Sequence, residues 1–305
     1  MKLRIVICTH NPNLSRLFMC FSSIRNQRGL EYCDVLIVDN GTSPTLQVEV
    51  ERITKLFGYH YTSVPWANLT KARLLGIEYG ELITPQFFLF VDDDNYLHPE
   101  YVEIGTKFLE KNSNVGAAAG KSEKSQQLLK SKNSWANKYL AIRDLGEETL
   151  ISNTLDWEIC DPHGAGLLLS YSAAETFLKF MKQTRHSVEL GRSGNKLLSG
   201  EDTLICLLLK RNGLKTAYVP GLVLTHDVSA ERFKLRYLAR LASGMGKSDY
   251  QLARVLGDPE PGWLPMGILG QSRSLLYELE LNGIFEALFK TIRNYSRKRE
   301  SGKRN

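Results

Sequence analysis

Three consecutive carboxylates stand directly after an apolar run, and they are the first group in this sequence with the means to do chemistry. The run extends from Phe87 to Val91, and Asp92, Asp93 and Asp94 follow it. Five apolar residues are too few to cross a membrane, but they suit a buried strand of a parallel sheet. Alternate residues of an extended backbone point the same way, which predicts that Asp92 and Asp94 project together.

Neighbouring carboxylates repel each other unless a cation or a proton lies between them. A hard divalent cation such as Mg²⁺ prefers oxygen ligands of this kind and commonly shares them with substrate phosphates. The alternative is an acidic turn before the helix start at His98-Pro99-Glu100, which would place the same residue types there for local reasons. The buried strand in front of the carboxylates favours a metal–nucleotide site.

Strands and helices alternate along the N-terminal part of the chain, as the hydrophobic periodicity indicates. This alternation predicts a parallel sheet with right-handed crossovers, in which the carboxyl ends of the strands meet at one edge. Thr9, Asp39 and Asp92 each follow such a strand, so we expect them to converge there. The predicted elements are strand 3–8, helix 14–24, strand 35–38, helix 44–57, strand 59–64, helix 68–80 and strand 87–91.

The alternation weakens after residue 115. The polar segment 121–156 is either a mobile insertion or a loop that faces a substrate. Farther on, Glu201 and Asp202 open an apolar helix, and their negative charge at its N-terminus is also explained by the helix dipole alone. The remaining predicted elements are strand 115–120, the turn 163–166 into strand 167–169, helix 172–182, helix 203–211, and strands 216–219 and 222–225.

The composition is that of an ordinary globular protein with a sizeable core, since 43% of the 305 residues are hydrophobic and 24% are charged. The length predicts one large domain, or one domain with an appendage. The five cysteines are odd in number and lack metal-ligand spacing, which favours free thiols in a reducing cytosol. The sequence contains neither a signal peptide nor an apolar stretch of transmembrane length, so we expect a cytoplasmic location.

The formal net charge of +6 is concentrated at the C-terminal end. From Lys290 onward seven lysines and arginines stand against one acid, Glu300, so this segment alone carries the whole excess. The preceding residues are neutral as a whole, which excludes a nucleic-acid-binding surface spread over the body of the protein.

Six short motifs occur in order between residues 3 and 228. They are Val6-Ile7-Cys8-Thr9-His10-Asn11, Val38-Asp39-Asn40-Gly41-Thr42-Ser43, Asn68 with Lys71-Ala72-Arg73, Val91-Asp92-Asp93-Asp94, His163-Gly164-Ala165-Gly166 and Gly200-Glu201-Asp202, with His226 behind them. In this order they resemble the motifs of the family 2 glycosyltransferases, although Leu74 stands where that family usually has Asn. The last 75 or so residues carry no specific motif of the family.

The resemblance implies an α/β protein with the GT-A fold, which is Rossmann-like, with a mostly parallel central sheet, flanking helices and here a C-terminal helical extension. The glycosyltransferase domain would comprise residues 1–228, and the extension with its basic tail would comprise residues 229–305. The implied activity is transfer of a hexosyl group, with inversion at the anomeric carbon, from a nucleoside diphosphate sugar to a hydroxyl group. A UDP-sugar is the favoured donor.

On the donor side the resemblance implies a Mn²⁺ or Mg²⁺ ion that stabilises the leaving diphosphate. Asp94 would bind the ion, with Asp92 reaching the ribose or the ion's water ligands and His226 acting as a further ligand or a diphosphate contact. Asp39 would accept a hydrogen bond from the nucleobase, and Arg73 would pair with the base or a phosphate. The nucleotide-sugar site would be completed by Thr9, Asn11, Asn68 and Asp93.

On the acceptor side the resemblance implies a general base opposite the leaving group. Asp202 is the first choice for this role and Glu201 the second. His163, Gly164 and Trp157 are assigned to the acceptor side, where the Trp157 ring could stack on a sugar or simply belong to the core. The acceptor would be a glycan or a lipid-linked molecule in the synthesis of a cell-surface polysaccharide or glycolipid.

A stripe of apolar residues near the C-terminus recurs at helical spacing and is followed by basic residues. A basic amphipathic helix can lie on an anionic membrane, which would place the enzyme peripherally at the inner face. Packing of this helix on its own domain, with a solvated basic tail, is an equally good explanation. The sequence leaves the oligomeric state open. The stripe consists of Leu281, Phe285, Leu288, Ile292 and Tyr295.

Two other functions use similar residues. A nucleotidyltransferase also binds metal through paired aspartates, but it would normally carry a glycine-rich basic loop after the first strand, and residues 9–13 contain no glycine. Loss of Asp94 or Asp202 would favour a non-catalytic nucleotide-sugar-binding domain of the same fold, and both are present. Residues 244–248 end like a phosphate-binding loop, but Leu241 stands where that motif needs glycine.

Overall fold

A computed structural model describes residues 2–80, 82, 84–125, 134–184, 189–194, 196–257 and 284–301. The chain divides into two compact units that interleave in sequence. The division into a catalytic domain up to residue 228 and an extension after it stays a prediction. The first unit comprises residues 1–129, 141–187 and 201–228, and the second comprises residues 130–140, 188–200 and 229–305.

The first part of unit one is the predicted parallel sheet. Its elements in chain order are β1 (Leu3–Thr9), α1 (Leu14–Arg25), β2 (Cys33–Asn40), α2 (Pro44–Phe57), β3 (His60–Val64), α3 (Leu69–Glu78) and β4 (Phe87–Asp92). The strands lie in the order β3-β2-β1-β4, and all three pairings are parallel. From Phe88 to Val91 the residues of β4 are buried, which confirms the prediction of a strand covered on both faces.

The rest of the sheet departs from the parallel arrangement. Its elements are β5 (Asn95–Leu97), α4 (Tyr101–Lys111), β6 (Val115–Lys124), β7 (Leu150–Ser152), β8 (Leu167–Ser170), α5 (Tyr171–Gln183), α6 (Glu201–Arg211) and β9 (Lys215–His226). Strand β8 is antiparallel to both β4 and β6, β9 is parallel to β6, and β5 and β7 are antiparallel to β9. Together the nine strands of the described residues form one sheet, mixed rather than mostly parallel.

Strand β9 replaces the two short strands predicted over 216–219 and 222–225. Pro220 lies between the two predicted strands, and a proline has no backbone N–H to donate to a neighbouring strand. In the structure the pairing of β6 with β9 shifts register next to Gly120, and β9 continues through the irregularity. A Cβ atom on Gly120 would lie 2.2 Å from the carbonyl oxygen of Val219, so the close backbone approach requires glycine at this position.

Strand β4 ends at Asp92, and Asp93 and Asp94 form a turn that leads directly into β5. The prediction that Asp92 and Asp94 point the same way assumed that the extended backbone continues to Asp94. The turn breaks that alternation, and each of the three carboxylates contacts a different element. Strand β5, which sequence reasoning missed, places Asn95 opposite His226 of β9.

Two long helices dominate unit two, α7 (Leu235–Val255) and α8 (Ile284–Ser301). They pack so closely that a Cβ atom on Gly246 would lie 1.9 Å from the carbonyl oxygen of Arg293. Asp249 accepts two hydrogen bonds of 2.7 Å from the Arg293 guanidinium, which adds a bidentate ion pair to this contact. Close packing of the two helices therefore accounts for Gly246, which belongs to the segment 244–248 that ends like a phosphate-binding loop.

Helix α8 leaves part of its predicted apolar stripe exposed. Leu288 is 52% exposed and Tyr295 66% exposed, whereas Ala287 and Phe289 are buried. The buried face of α8 is therefore not the face that carries the predicted stripe. Leu281 and the side chain of Phe285 lie outside the described residues. Among the helices that the structure describes, none has the length and apolar character to span a bilayer.

Candidate active site

The carboxyl ends of three parallel strands bring the polar residues of the predicted donor side to one edge. The register pairs Thr9 of β1 with Asp39 of β2, and Cys8 of β1 with Asp92 of β4. Thr9 donates a hydrogen bond to the Asp93 carboxylate, which ties the end of β1 to the turn after β4. The convergence of Thr9, Asp39 and Asp92, predicted from the alternation of strands and helices, is present.

Asp39 lies almost completely buried at the end of β2, with 1% of its surface exposed. One carboxylate oxygen accepts a hydrogen bond of 3.0 Å from the backbone N–H of Thr42, and the other accepts one of 2.9 Å from the Tyr61 hydroxyl. The first bond closes an Asx-type turn around Gly41, whose φ of 74° suits glycine. The carboxylate is thus fixed in place, with lone pairs left for a further donor.

Asn68 and Asn11 brace the loops on either side of this turn. The Asn68 side chain caps α3 by accepting from the backbone N–H of Lys71 at 3.0 Å. Its own N–H donates to the Asn40 side chain at 2.7 Å. Asn11, in a left-handed conformation with φ 48°, accepts from the backbone N–H of Ser43 at 3.0 Å. Both asparagines therefore shape the backbone of the donor side.

Arg73 is a buried hub of the site rather than an open phosphate contact. Its guanidinium donates to Glu201 at 2.7 Å, to Asp92 at 3.4 Å and to the carbonyl oxygen of Gly164 at 3.5 Å. Burial lowers the pKa of Arg73, but the two carboxylates outweigh this effect and raise it, so the group stays charged. A Cβ atom on Gly164 would lie 3.0 Å from this guanidinium, which explains a small residue there.

Glu201, the second choice for the general base, is the buried partner of Arg73. It is 3% exposed, and its ion pair joins the start of α6 to α3. Its other carboxylate oxygen is buried without a hydrogen-bond partner. A carboxylate committed to a buried cation in this way is poorly placed to take a proton from a substrate. Asp202, whose side chain is 20% exposed, is the more accessible of the two predicted bases.

Asp202 faces the turn before β8. One oxygen accepts a hydrogen bond of 3.1 Å from the backbone N–H of Gly164, and the other accepts one of 2.9 Å from that of Thr203. The Nδ1 atom of His163 lies 3.8 Å from the same carboxylate, and the rings of His163 and Trp157 are 5.7 Å apart. Gly164 and His163 of the predicted acceptor side therefore lie next to Asp202, and Trp157 contacts His163.

The pKa values of this pair favour a carboxylate beside a neutral imidazole. Burial by itself raises the pKa of Asp202, but the contact with His163 and the hydrogen bond from Thr203 bring it below the ordinary carboxyl value. Burial lowers the pKa of His163 and outweighs the opposing effect of Asp202. An ionised Asp202 can accept a proton near neutral pH, as a general base must.

Asp94 and His226 are the residues best placed to hold a cation. Both are buried, and the Nε2 atom of His226 lies 3.4 Å from a carboxylate oxygen of Asp94. The Nδ1 atom of His226 is buried without a hydrogen-bond partner, and Asn95 donates to the same Asp94 oxygen at 3.3 Å. Carboxylate oxygen with imidazole nitrogen is a donor set that suits Mn²⁺.

A group of three or more acidic, histidine or cysteine side chains with the geometry of a metal site is absent from the part of the chain that the structure describes. An ion at Asp94 and His226 would therefore take further ligands from water and substrate phosphates, as is common for Mg²⁺ sites. The residues fit a divalent cation shared with the substrate, not one enclosed by protein.

Three residues that sequence reasoning missed complete the donor side. Thr42 and Tyr61 hold Asp39, and Asn95 contacts Asp94. Thr42 could have been found, because an aspartate three residues before a threonine in a Gly-containing turn is a typical Asx-turn pattern. Tyr61 and Asn95 come from neighbouring strands, and no local pattern marks them.

With the geometry known, comparison with family models decides the family. Residues 4–178 match the model described as glycosyl transferase family 2, which is more than half of the chain. The chain belongs to glycosyl transferase family 2. It is therefore a glycosyltransferase, and the family match does not support the nucleotidyltransferase alternative.

Solved structures show the same fold. The mannosyltransferase PcManGT from Pyrobaculum calidifontis, in complex with GDP-Man and Mn²⁺, aligns with a TM-score of 0.58 and 13% identity, over 97% of this chain and 83% of that one. The crystal structure of S. aureus TarS residues 1–349 aligns with a TM-score of 0.50 and 12% identity, over 100% of this chain and 92% of that one. Both likenesses establish the GT-A fold. No curated protein sequence matches significantly.

Proposed function

We propose that this glycosyltransferase moves a hexosyl group from a nucleoside diphosphate sugar to an acceptor hydroxyl with inversion at the anomeric carbon. The observation that carries the proposal is that Arg73 bridges Asp92, at the end of β4, to Glu201 at the start of α6, next to Asp202. Arg73 thereby joins the donor-side carboxylate Asp92 to Glu201, which precedes the predicted base Asp202 in the sequence. Residues 1–228 would form the catalytic domain.

On the donor side, Asp39 would accept a hydrogen bond from the nucleobase, for which a uracil N–H is suitable, so a UDP-sugar is the favoured donor. Thr9, Asn11 and Asn68 would shape this pocket through the contacts described. Asp94 and His226 would hold Mn²⁺ or Mg²⁺, which when bound would neutralise charge on the diphosphate. The complex of PcManGT with GDP-Man and Mn²⁺ supports a nucleoside diphosphate sugar and a divalent cation.

On the acceptor side, Asp202 would take the proton of the attacking hydroxyl group. The acceptor oxygen would form its bond to the anomeric carbon as the bond from that carbon to the diphosphate oxygen breaks, and the diphosphate would leave with the electron pair. Attack from the face opposite the leaving group inverts the configuration. The N–H groups of Gly164 and Thr203 would hold the carboxylate in orientation.

The acceptor would be a glycan or a lipid-linked molecule of a cell-surface polysaccharide or glycolipid, reached from the cytoplasmic face of a membrane. The exposed residues Leu288 and Tyr295 on α8, near the basic C-terminal residues, support peripheral membrane contact.

Flotation with anionic and neutral vesicles tests the proposed membrane contact. Leu288→Gln/Tyr295→Gln is expected to lower binding to anionic vesicles, and high salt is expected to weaken binding of the wild type. Equal flotation of both proteins would contradict it.

The activity itself is tested by incubating the protein with a panel of UDP- and GDP-sugars and Mn²⁺ and measuring nucleotide release. Release from one donor that rises with an added acceptor, and a product with inverted anomeric configuration by NMR, is the expected result. Asp202→Asn is the negative control for transfer. Absence of release and of thermal stabilisation by every donor with Mn²⁺ would contradict the proposal and favour another role for the fold.

A further inference from the structure

Residues 151–159 of unit one, which comprise the end of β7 and the irregular segment after it, expose apolar side chains beside the predicted acceptor side of the site. Leu155 is 64% exposed, Ile159 is 74% exposed, and Ile151 is also among the exposed large apolar residues. Single exposed apolar residues are common on proteins. Three within nine positions, on a segment that also carries Trp157, form an exception that needs an explanation.

The segment is braced from beneath by a fully buried ion pair. Lys210 of α6 donates to Asp161 at 2.6 Å, and neither side chain has any exposed surface. The same Lys210 ammonium donates to the backbone carbonyl of Asp156 at 2.9 Å. Thr216 of β9 donates to the second Asp161 oxygen, and the backbone N–H of Glu158 donates to the first at 2.7 Å.

A second cation, Arg143, holds the same segment through its backbone. It donates to the carbonyl oxygens of Asp161 at 2.7 Å and Ile159 at 3.1 Å. Removing two charges from water is costly, and a buried pair compensates for this only when further hydrogen bonds satisfy both partners, as they do here. The exposed apolar side chains are therefore displayed on a segment that the interior fixes in one conformation.

The segment continues directly into the acceptor side. Trp157 contacts His163, whose ring faces Asp202. A molecule whose hydroxyl group approaches Asp202 would extend past His163 and Trp157 toward the exposed apolar residues. Acidic side chains lie among these residues, Asp156 exposed and Glu158 half-buried, and they disfavour anionic lipid headgroups and phosphate-bearing carriers.

We propose that residues 151–159 bind the uncharged apolar aglycone of the acceptor, an alkyl or acyl chain joined to the sugar whose hydroxyl group is glycosylated. This inference rests on the proposed function, because it takes Asp202 as the acceptor-side base. It assigns the acceptor to the glycolipid class rather than to free oligosaccharides or lipid diphosphates. Ile159 and Leu155 supply the apolar contact, and Asp161 with Lys210 are positioning residues.

The test compares octyl β-glucoside, below its micellar concentration, with methyl β-glucoside. Their dissociation constants are measured by ligand-observed NMR in the presence of UDP and Mn²⁺. Burial of only three methylene groups would correspond to roughly fiftyfold tighter binding, so a preference of at least about tenfold for the octyl compound is expected. In Leu155→Gln/Ile159→Gln the preference is expected to fall below about twofold.

The matched control is Leu56→Gln, which replaces a leucine on α2 with the same 64% exposure as Leu155. It is expected to keep the preference. Equal binding of the two glucosides by the wild type, or a preference that survives in the double variant, would overturn the proposal. Sedimentation with phosphatidylcholine vesicles distinguishes binding of a single acceptor from binding of a bilayer. If the wild type binds bare vesicles and the double variant does not, the segment contacts the bilayer, and the proposal is overturned as well.

Because the readout is binding, its result is independent of the proposed activity. Failure of the proposed function would appear as absence of nucleotide release from every donor, whereas failure of this inference would appear as equal binding of octyl and methyl glucosides. Once a donor is found, the KM for octyl and methyl acceptors is expected to differ in the same direction. Leu155→Gln/Ile159→Gln is expected to raise KM for the octyl acceptor and leave kcat unchanged.

Discussion

The donor side and the base side of the site are held by contacts of different range. On the donor side, Asp39 accepts from Thr42 and Asn68 accepts from Lys71, each three residues away. On the base side, Arg73 reaches Glu201 across 128 positions, and Asp202 is bonded to Gly164 across 38. On the predicted donor side, contacts within one turn therefore occur beside contacts between strands, such as Tyr61 with Asp39 and Thr9 with Asp93, whereas the contacts of Arg73 form only when α3, β4 and α6 pack together.

This difference determines where a substitution should act. A single donor-side hydrogen bond such as that of Tyr61 with Asp39 joins strands that their backbones already pair, so its loss should affect mainly substrate binding. A contact at the Arg73 hub joins α3, β4 and α6, so its loss should affect folding as well as catalysis.

Arg73→Met is expected to lower the free energy of unfolding by roughly 3–5 kcal/mol, because it leaves Glu201 as an unpaired buried charge. Urea unfolding followed by circular dichroism measures the change. The matched control is Arg28→Ala, which breaks an ion pair with Glu100 in which both side chains are more than half exposed. That variant is expected to lose less than about 1 kcal/mol.

The double variant Arg73→Met/Glu201→Met is expected to recover most of the lost stability, since it removes the unpaired carboxylate together with the cation. A single variant as stable as the wild type, or a double variant no more stable than the single one, would show that the buried pair does not join these elements as described.

Asp202→Asn is expected to lower turnover by about 10²-fold or more, because the amide cannot accept the proton of the acceptor. Donor affinity and melting temperature should stay near the wild-type values, since the amide preserves the shape of the side chain. Asp144→Asn, at an exposed acid that pairs with Lys121 outside the site, is the control and should retain turnover. If Asp202→Asn loses stability but keeps activity per folded molecule, the residue only caps α6.

Tyr61→Phe is expected to raise the KM for the donor about fivefold at nearly constant kcat, because it removes one hydrogen bond to the Asp39 carboxylate, worth about 1 kcal/mol. Tyr59→Phe is the matched control, since that hydroxyl group donates to the backbone of Phe21 instead. Steady-state kinetics with the donor varied measures both. An equal effect of the two substitutions would show that the hydrogen bond from Tyr61 to Asp39 does not contribute to donor binding.

The smallest expected effect is a pH dependence from His163. Its pKa is lowered by burial in the folded protein, so below about pH 6.5 the unfolded state binds more protons, and stability falls as the pH falls. His163→Gln is expected to flatten this part of the stability profile, measured by urea unfolding at several pH values. A profile that is unchanged by the substitution would contradict a lowered pKa of the His163 imidazole in the folded protein.

The same contrast explains what the sequence could predict. The parallel strands, Thr9 and Asp39 at their ends and the capping Asn68 all follow from local periodicity and turn chemistry. The position of Asp94 was predicted from an extended backbone that the turn after Asp92 interrupts. An acidic turn was considered there only as the alternative, and strand β5 directly behind it was not predicted, because two turn residues leave no break in the pattern of residue types.

The base side could be predicted only in part. Glu201 and Asp202 are adjacent acids that open a helix, and local chemistry gives both the same explanation. The structure distinguishes the two acids, because Glu201 pairs with Arg73, which lies far away in the sequence. The deeply buried pair of Asp161 and Lys210 is likewise invisible to periodicity, because a lysine in an apolar helix ordinarily predicts an exposed face. Long-range ion pairs of this kind require the structure.

The central claim is that donor binding and proton transfer reside in separate carboxylates, Asp94 and Asp202, of one site. Calorimetric titration of UDP and GDP, with Mn²⁺ and with a chelator, tests it most directly when wild type, Asp94→Ala and Asp202→Asn are compared. The account predicts binding that depends on Mn²⁺ in the wild type and in Asp202→Asn, and loss of that dependence in Asp94→Ala. Equal affinity in all three proteins, with and without the metal, would contradict it.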